Sequence, residues 1–320
     1  MAKKSKRSST ARKTTKAKAP RSCPEGIRIG TLANISDKTG DYLRQILPHG
    51  FESFALNVFN PKTIPNYKKV ADDVAGALEG SGAVISCLGV FGNPLGASAQ
   101  DKRVAKAWAA AIDACPLFGC NVVAGFAGRV EGEPIDKSMK RFKQIFAPLA
   151  KRARDKGVRL AFENCDMGGD WNRGGWNIAQ NPTAWEMMFN ELPNHKNVGL
   201  EWEPCHQMVS LIDPIPQLRK WAHKVFHVHG KDATVAWDIV REHGVHGPHK
   251  FAWHRTPGFG DSNWADIITI LRQSGFKGSI DIEGWHDPVY RGNLEMTGQV
   301  HGLNYLKRCR GGDYVPNPKQ

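Results

Sequence analysis

Short apolar runs alternate with amphipathic segments from residue 27 almost to the end of the chain. IRIGTLA (27–33), FESFALNVF (51–59), AVISCLGVF (83–91) and NVVAGFAGRV (121–130) read as strands, rich in β-branched and aromatic residues. VRLAFENC (158–165), NVGLEWE (197–203), KVFHVH (224–229) and GSIDIEG (278–284) continue the series. Between them lie segments of helical spacing at 36–50, 66–82, 100–119, 134–157, 183–192, 215–224 and 264–276, with a last helix over roughly 291–307. Eight alternations of this kind predict a parallel α/β architecture, and the count favours a closed (β/α)8 TIM barrel. No composition break divides it, so a single domain is expected over 25–310, with a basic tail at 1–24 and a short tail at 311–320. No GxGxxG follows the first strand, so no nucleotide cofactor is expected.

Strand parity then sorts the side chains, because neighbours along a strand face opposite ways. In the fifth strand Val158, Leu160 and Phe162 oppose Arg159, Ala161 and Glu163. In the sixth, Leu200 and Trp202 oppose Gly199, Glu201 and Glu203. In the seventh, Phe226 and Val228 oppose Val225, His227 and His229, and in the eighth Ile280 and Ile282 oppose Ser279, Asp281 and Glu283. The large apolar row belongs under the helices and the polar row inside the barrel. The last inward residues are Glu163, Glu203, His229 and Glu283, which should converge at the C-terminal rim, where barrel chemistry sits. Three carboxylates crowded with one imidazole repel one another unless a cation joins them. The donor set suits one divalent metal, Mn²⁺ first, with Mg²⁺, Co²⁺ or Zn²⁺ as alternatives. The competing arrangement pairs these acids with Arg159, His227 or Lys231.

Composition changes the picture in one place. Nine of the net thirteen positive charges fall in residues 1–22, which hold no acid and almost no large apolar residue. Such a segment is expected to be disordered, a solvated extension or a tether for nucleic acid. It lacks the apolar core of a secretory signal, and no run of 18 apolar residues exists to span a membrane. Seven scattered cysteines without a CxxC pair fit reduced thiols and a cytoplasmic location, with Cys165 and Cys205 as small buried spacers beside the ligands.

Several ordered motifs resemble a known family. GNPLG (92–96), FAGRV (126–130), FENC (162–165), VGLEWEPCHQ (198–207), FHVHGKD (226–232), RTPGFGD (255–261) with Trp264, and SIDIEG (279–284) are similar to the sugar phosphate isomerase/epimerase group of the xylose-isomerase-like TIM barrels, over roughly 26–310. The resemblance implies one divalent metal held by Glu163, Glu203, His229 and Glu283. In related ketose 3-epimerases the acids matching Glu163 and Glu283 also move protons, on opposite faces of the sugar. It further implies contacts to substrate, or support of the ligands, from His206, Lys231 and Arg255, with Asp232 and Trp285 grouped with them as substrate-binding. One departure stands out. The family has Asp-Pro-Ser-His where this chain has Glu203-Pro-Cys-His206, one methylene longer.

Other residues carry weaker expectations. His227 should be a hydrogen-bonded interior histidine. His206 should orient Glu203 or touch substrate. The loop 167–177, with two Trp and four Gly, should stack on a sugar or pack over the rim. The His-rich stretch 240–258 should be an ordered loop near the site, and Trp285 and His286 pocket walls.

The expected activity is a metal-dependent sugar isomerase or epimerase working through an enediolate on a keto-sugar or sugar derivative. A keto-sugar lyase or dehydratase would use the same atoms. An endonuclease IV-like repair enzyme and a non-catalytic sugar-binding barrel are further alternatives. A small-molecule sugar is the expected partner and a homo-oligomer the expected assembly.

Overall fold

The computed structural model describes residues 26–312 and 315–318, so the basic tail expected at 1–24 lies outside the described residues. Seven strands follow in order: β1 (Arg28–Asn34), β2 (Ser53–Phe59), β3 (Val84–Phe91), β4 (Val122–Gly125), β5 (Arg159–Glu163), β6 (Val198–Trp202) and β7 (Val225–Gly230). A two-stranded antiparallel hairpin comes next, β8 (Asp232–Val235) with β9 (Ala252–Arg255). Then β10 (Ser279–Ile282) slots between β7 and β1 and closes an eight-stranded parallel barrel. The (β/α)8 fold expected from the alternation is therefore present.

The helices are α1 (Thr39–Ile46), α2 (Tyr67–Leu78), α3 (Ala99–Ala114), α4 (Ile135–Asp155), α5 (Pro182–Glu191), α6 (Pro204–Val209), α7 (Pro214–Trp221), α8 (Trp237–His243), α9 (Trp264–Gln273) and α10 (Glu295–Cys309). Local chemistry sets their starts. Ser98 and Asp101 form a reciprocal capping box at α3, and Asn66, Asn181, Asp213 and Asn263 cap α2, α5, α7 and α9. The stretch 240–258, expected as a loop, in fact contains the end of α8 and all of β9. Its alternation was hidden by histidines. The short α6, opened by Pro204 directly after Glu203, was also not anticipated.

The outward rows pack into one large core with the helices, in which Trp108, Trp185, Trp202 and Trp264 are fully buried. The inward rows of β1 to β5 contribute Leu32, Ala55, Cys87, Val122, Ala124 and Ala161 to a small separate apolar cluster inside the barrel. Two register shifts change the inward row. One between β6 and β7 pairs Leu200 with Val225 but Glu201 with His227, and Phe226, expected outside, joins the inner cluster with the Arg159 guanidinium 4.8 Å above its ring. The other, between β2 and β3, leaves Ser86 unpaired and able to reach the barrel interior. The backbones approach closely at Gly30, where a methyl group would land on the Ser53 carbonyl oxygen and the Asp281 carboxylate.

At the N-terminal end of the barrel, α10 is tied to the first two strands. Glu52 accepts the Ile29 N–H (3.0 Å) and both Arg310 guanidinium nitrogens, and Arg310 also donates to the Ile27 carbonyl (2.8 Å). Burial alone would raise the Glu52 pKa, but Arg310 and the Ile29 N–H together hold it below its usual value. A carboxyl depressed in the folded state stabilises the fold fully above its unfolded pKa and loses that contribution as pH falls through the folded value. Glu52→Gln is therefore expected to cost about 1.5–3 kcal/mol at neutral pH. Urea melts should show the gap between wild type and variant closing below about pH 4; a gap that stays constant would remove Glu52 as the group responsible.

Candidate metal centre

Four inward side chains meet at the rim. Glu163 ends β5, Glu203 follows β6, His229 lies near the end of β7, and Glu283 follows β10. One donor atom from each falls within 4.8 Å of the others, and all four residues are buried. His229 Nδ1 sits in the middle, 2.9 Å from Glu163 Oε1, 3.3 Å from Glu283 Oε2 and 3.4 Å from Glu203 Oε2. The last inward residues at the ends of β5, β6, β7 and β10 therefore meet at one place.

The backbone beneath these donors is clamped. Asn164 donates to the Glu203 carbonyl (2.8 Å) and accepts its N–H (2.7 Å), joining the ends of β5 and β6. Asn177 donates to the carbonyls of Glu163 and Cys165 and accepts the Ala127 N–H, fixing the end of β5 against the segment after β4.

A second tier lies one layer down. His229 Nε2 is 3.1 Å from Glu201 Oε1, off the line of a full hydrogen bond. Glu201 Oε1 is also 2.8 Å from His227 Nδ1, and His227 Nε2 is 2.8 Å from Asp281 Oδ2. Asp281 then accepts the hydroxyls of Ser53 and Ser86. His227 is the hydrogen-bonded interior histidine that was expected. Glu201 and Asp281 were visible only as members of the inward row. Their work, orienting the two histidines, depends on cross-strand neighbours that one strand's sequence does not reveal.

Electrostatics at the rim favour a cation. Burial, with Glu283 and Glu163 nearby, pushes the Glu203 carboxyl up to about 8, and burial raises Glu163 as well. Burial works against charge on His229, but Glu201 and Glu163 outweigh it and hold the imidazole pKa well above normal. Burial would also raise Glu283, yet the Lys231 ammonium, 2.9 Å away, keeps it well below the usual range. Both Glu203 oxygens and Glu283 Oε2 are buried without a hydrogen bond. Buried carboxylate oxygens left unpaired beside a central imidazole nitrogen fit a divalent ion, which would satisfy all of them at once. The imidazole's other nitrogen, turned toward Glu201, supplies the outer carboxylate that metal-bound histidines use. The longer Glu203 side chain faces two ways, with Oε2 toward His229 and Oε1 3.2 Å from His206 Nε2 and 3.5 Å from Lys231.

Above the ligands opens a cavity of about 710 Å³, within the ~300–1,000 Å³ typical of small-molecule sites. One wall is polar, built from Lys231, His206, His254 and His286; burial first, then Lys231, lowers His254 to about 3 and leaves it neutral. The other wall is aromatic, with Phe91 and Phe126 edge to face at 5.1 Å and Phe59 stacked on Trp176 at 5.9 Å. Trp285 lines the mouth, 45% exposed and with φ of +47°, and Met167 of the Trp- and Gly-rich loop joins the lining.

Two expected substrate contacts do not reach this cavity. Asp232 Oδ1 accepts the N–H groups of Ala233 and Ser262, and its Oδ2 accepts Trp264 Nε1, so the carboxylate is consumed in folding the β8–β9 hairpin onto α9. Arg255, paired with Asp232 in the hairpin register, turns its Nε to Asp287 at 3.1 Å. Lys231, His206 and Trp285 do line the cavity. The aromatic wall was missed because apolar strand ends carry no chemical signature, and Asn34 and Asn57 because a lone carboxamide at a strand end is not distinctive until its cross-strand neighbour is known.

A family model described as xylose isomerase-like TIM barrel matches residues 43–309. The uncharacterized protein YfiH of Bacillus subtilis (strain 168) is 23% identical over 65% of this chain and 73% of its own length. An inosose dehydratase of Clostridium tetani (strain Massachusetts / E88) is 28% identical over 33% of this chain, which spans only 37% of that relative. Among solved structures, the 3-keto-D-glucoside 4-epimerase YcjR from E. coli superposes with a TM-score of 0.65 at 15% identity, covering 88% of this chain and 100% of that one. The IolI protein with a bound zinc atom gives a TM-score of 0.61 at 16% identity, over 88% and 96%. Among the described residues no helix is long and apolar enough to cross a membrane.

Two outcomes follow from the rim electrostatics. At pH 7 the metal-free site holds protons on Glu203, with its pKa of about 8, and on His229. Metal binding should release about two protons there. Apparent affinity should rise with pH through about 8 as Glu203 gives up its proton, and go on rising for as long as His229 keeps its own. Calorimetry of Mn²⁺ binding in buffers of different ionisation enthalpy measures this, and zero proton release would contradict it. Separately, Glu201→Gln should weaken metal binding about 10–100-fold while the circular dichroism spectrum is kept.

Proposed function

The chain belongs to the xylose isomerase-like TIM-barrel family, and from that premise we propose that it is a divalent-metal-dependent sugar isomerase or epimerase. The carrying observation is the pair Glu163 and Glu283. They come from strands three places apart around the barrel, yet both reach the same His229 Nδ1, at 2.9 and 3.3 Å. A divalent ion bound there, Mn²⁺ first by its oxygen-rich donor set, would polarise a substrate carbonyl and acidify the neighbouring C–H.

The chain's own groups carry the remaining steps. One of the two carboxylates removes the proton from carbon, and the other, already protonated, delivers its own proton to the opposite face for epimerisation, or the first returns the proton it took to the adjacent carbon for isomerisation. Lys231 beside Glu283 keeps that carboxylate ionised and ready to accept. Glu163, its pKa raised by burial, is the better proton donor. His206 has both ring nitrogens free of hydrogen bonds and, with its pKa pushed well below normal by burial, stays neutral and able to accept a substrate hydroxyl. The aromatic wall receives the C–H face of the sugar and keeps water from the carbanion.

Dehydration is the second reading, favoured by the likeness to an inosose dehydratase. It shares the first proton removal and differs only in expelling a hydroxyl from the next carbon. The endonuclease reading loses ground, because the ends of β1 to β4 carry Asn34, Phe59, Phe91 and Gly125 rather than further metal ligands.

The test is proton exchange. Mn²⁺-loaded protein mixed with keto-sugars in D₂O should exchange one C–H, visible by NMR, and the product then separates epimerase, isomerase and dehydratase. Glu163→Gln and Glu283→Gln should each lower exchange by about 10²–10⁴-fold, compared at matched metal content. Fully metal-loaded wild type that exchanges nothing across a keto-sugar panel would end the proposal.

A further inference from the structure

A second cavity, of about 810 Å³, opens beside the first, between the segment after β1 and the segment joining β2 to α2. Its lining includes Ser36, Thr63, Asn66 and Lys69, and it shares Asn34, Asn57 and Phe59 with the cavity over the metal centre. These three shared residues form the border. Asn34 and Asn57 are register partners on adjacent parallel strands, so their carboxamides stand side by side at the rim. Asn57 is 7% exposed, and its Oδ1 has no hydrogen-bond partner. That oxygen is closed off against Gly89 of β3, so Asn57 meets the two cavities it lines only with the rest of its carboxamide. Phe59 stands on the same border, 58% exposed and stacked on Trp176, a flat aromatic face left open.

We propose that this second cavity is a substrate subsite for the hydroxylated second unit of a glycoside, with Asn34 and Asn57 binding hydroxyls at the junction between the two units and Phe59 stacking against a ring. The proposal rests on the reading of the rim as the place where the reacting sugar sits. The chemistry of both linings points to a neutral ligand. In the first cavity Lys231 is engaged by Glu203 and Glu283. In the second, Lys69 is accompanied by Asp37 and by Asp73, which already accepts the Gly40 N–H and pairs with Arg44. A phosphate would meet carboxylates in either place, whereas hydroxyls find amides, Ser36 and Thr63. A free monosaccharide would occupy the first cavity alone and leave the second, with Asn34 and the open face of Phe59 on its border, unfilled.

Unoxidised sugars that cannot react give a clean test. Binding of methyl β-D-glucoside, cellobiose, maltose and glucose 6-phosphate to the Mn²⁺-loaded protein is measured by calorimetry or ligand-observed NMR. At least one disaccharide should bind tenfold or more tighter than the methyl glucoside, and glucose 6-phosphate should gain nothing. In Thr63→Trp, a change at an exposed position that fills the second cavity, the ratio of disaccharide to methyl-glucoside affinity should fall to within twofold. Asn57→Leu should reduce the same ratio. Equal affinities in wild type, no measurable binding of either disaccharide, a ratio untouched by Thr63→Trp, or a preference for the phosphate would each overturn the proposal. Loss of C–H exchange with the disaccharide preference intact would overturn the catalytic reading and leave the subsite standing.

Discussion

Charge inside a closed barrel is the constraint on which the rest depends. Glu163, Glu201, Glu203, Asp281 and Glu283 are all buried in one interior, facing Lys231, His227 and His229 as the available cations. Little water reaches in to screen them, so each acid must find a proton, a partner or a metal. The lower tier solves this with hydrogen bonds, as Glu201 and Asp281 share His227 between them. The upper tier is left short, and Glu203 expresses the deficit by holding a proton up to about pH 8. A divalent ion therefore answers a structural need before any chemistry is considered.

The same constraint divides labour around the barrel. The strands from β5 onward bring the charged residues, whereas β1 to β4 line the interior with Leu32, Ala55, Val122 and Ala124. An apolar half lets the charged half sit against low-dielectric walls, where each ion pair is stronger. It also leaves the cavity a non-polar face, made by Phe91 and Phe126, opposite the cluster of carboxylates and imidazole, on which the proposed sugar substrate would lie.

Much of this was legible from the chain because alternation is a geometric rule. The four rim donors follow from which residue comes last on the inward side, and nothing distant disturbs that at Glu163, Glu203, His229 or Glu283. The rule failed where the backbone departs from it. A bulge turns Phe226 inward, and another admits Ser86, and neither leaves a mark in the local sequence. Asp232 and Arg255 were misplaced for another reason. They stand next to real pocket residues in sequence, but the β8–β9 hairpin pairs them with each other and turns both toward the scaffold. Asn57 looked like an ordinary strand end because its significance lies in its cross-strand neighbour Asn34.

The chain of contacts from His229 through Glu201, His227 and Asp281 ends on Ser53 and Ser86, on strands that supply no metal ligand. The seating of the His229 ring is thus tied to the opposite side of the barrel, through two hydroxyls hidden from the pocket. Such an arrangement gives the molecule a remote dial. Exchanging a serine at the floor for an alanine removes one of the hydroxyls that hold Asp281 in place, and the change is passed upward through His227 and Glu201 without disturbing the lining of the pocket. Divergence among barrels of this kind could then adjust the seating of the ligand set through positions that look like ordinary packing, leaving the residues at the rim untouched.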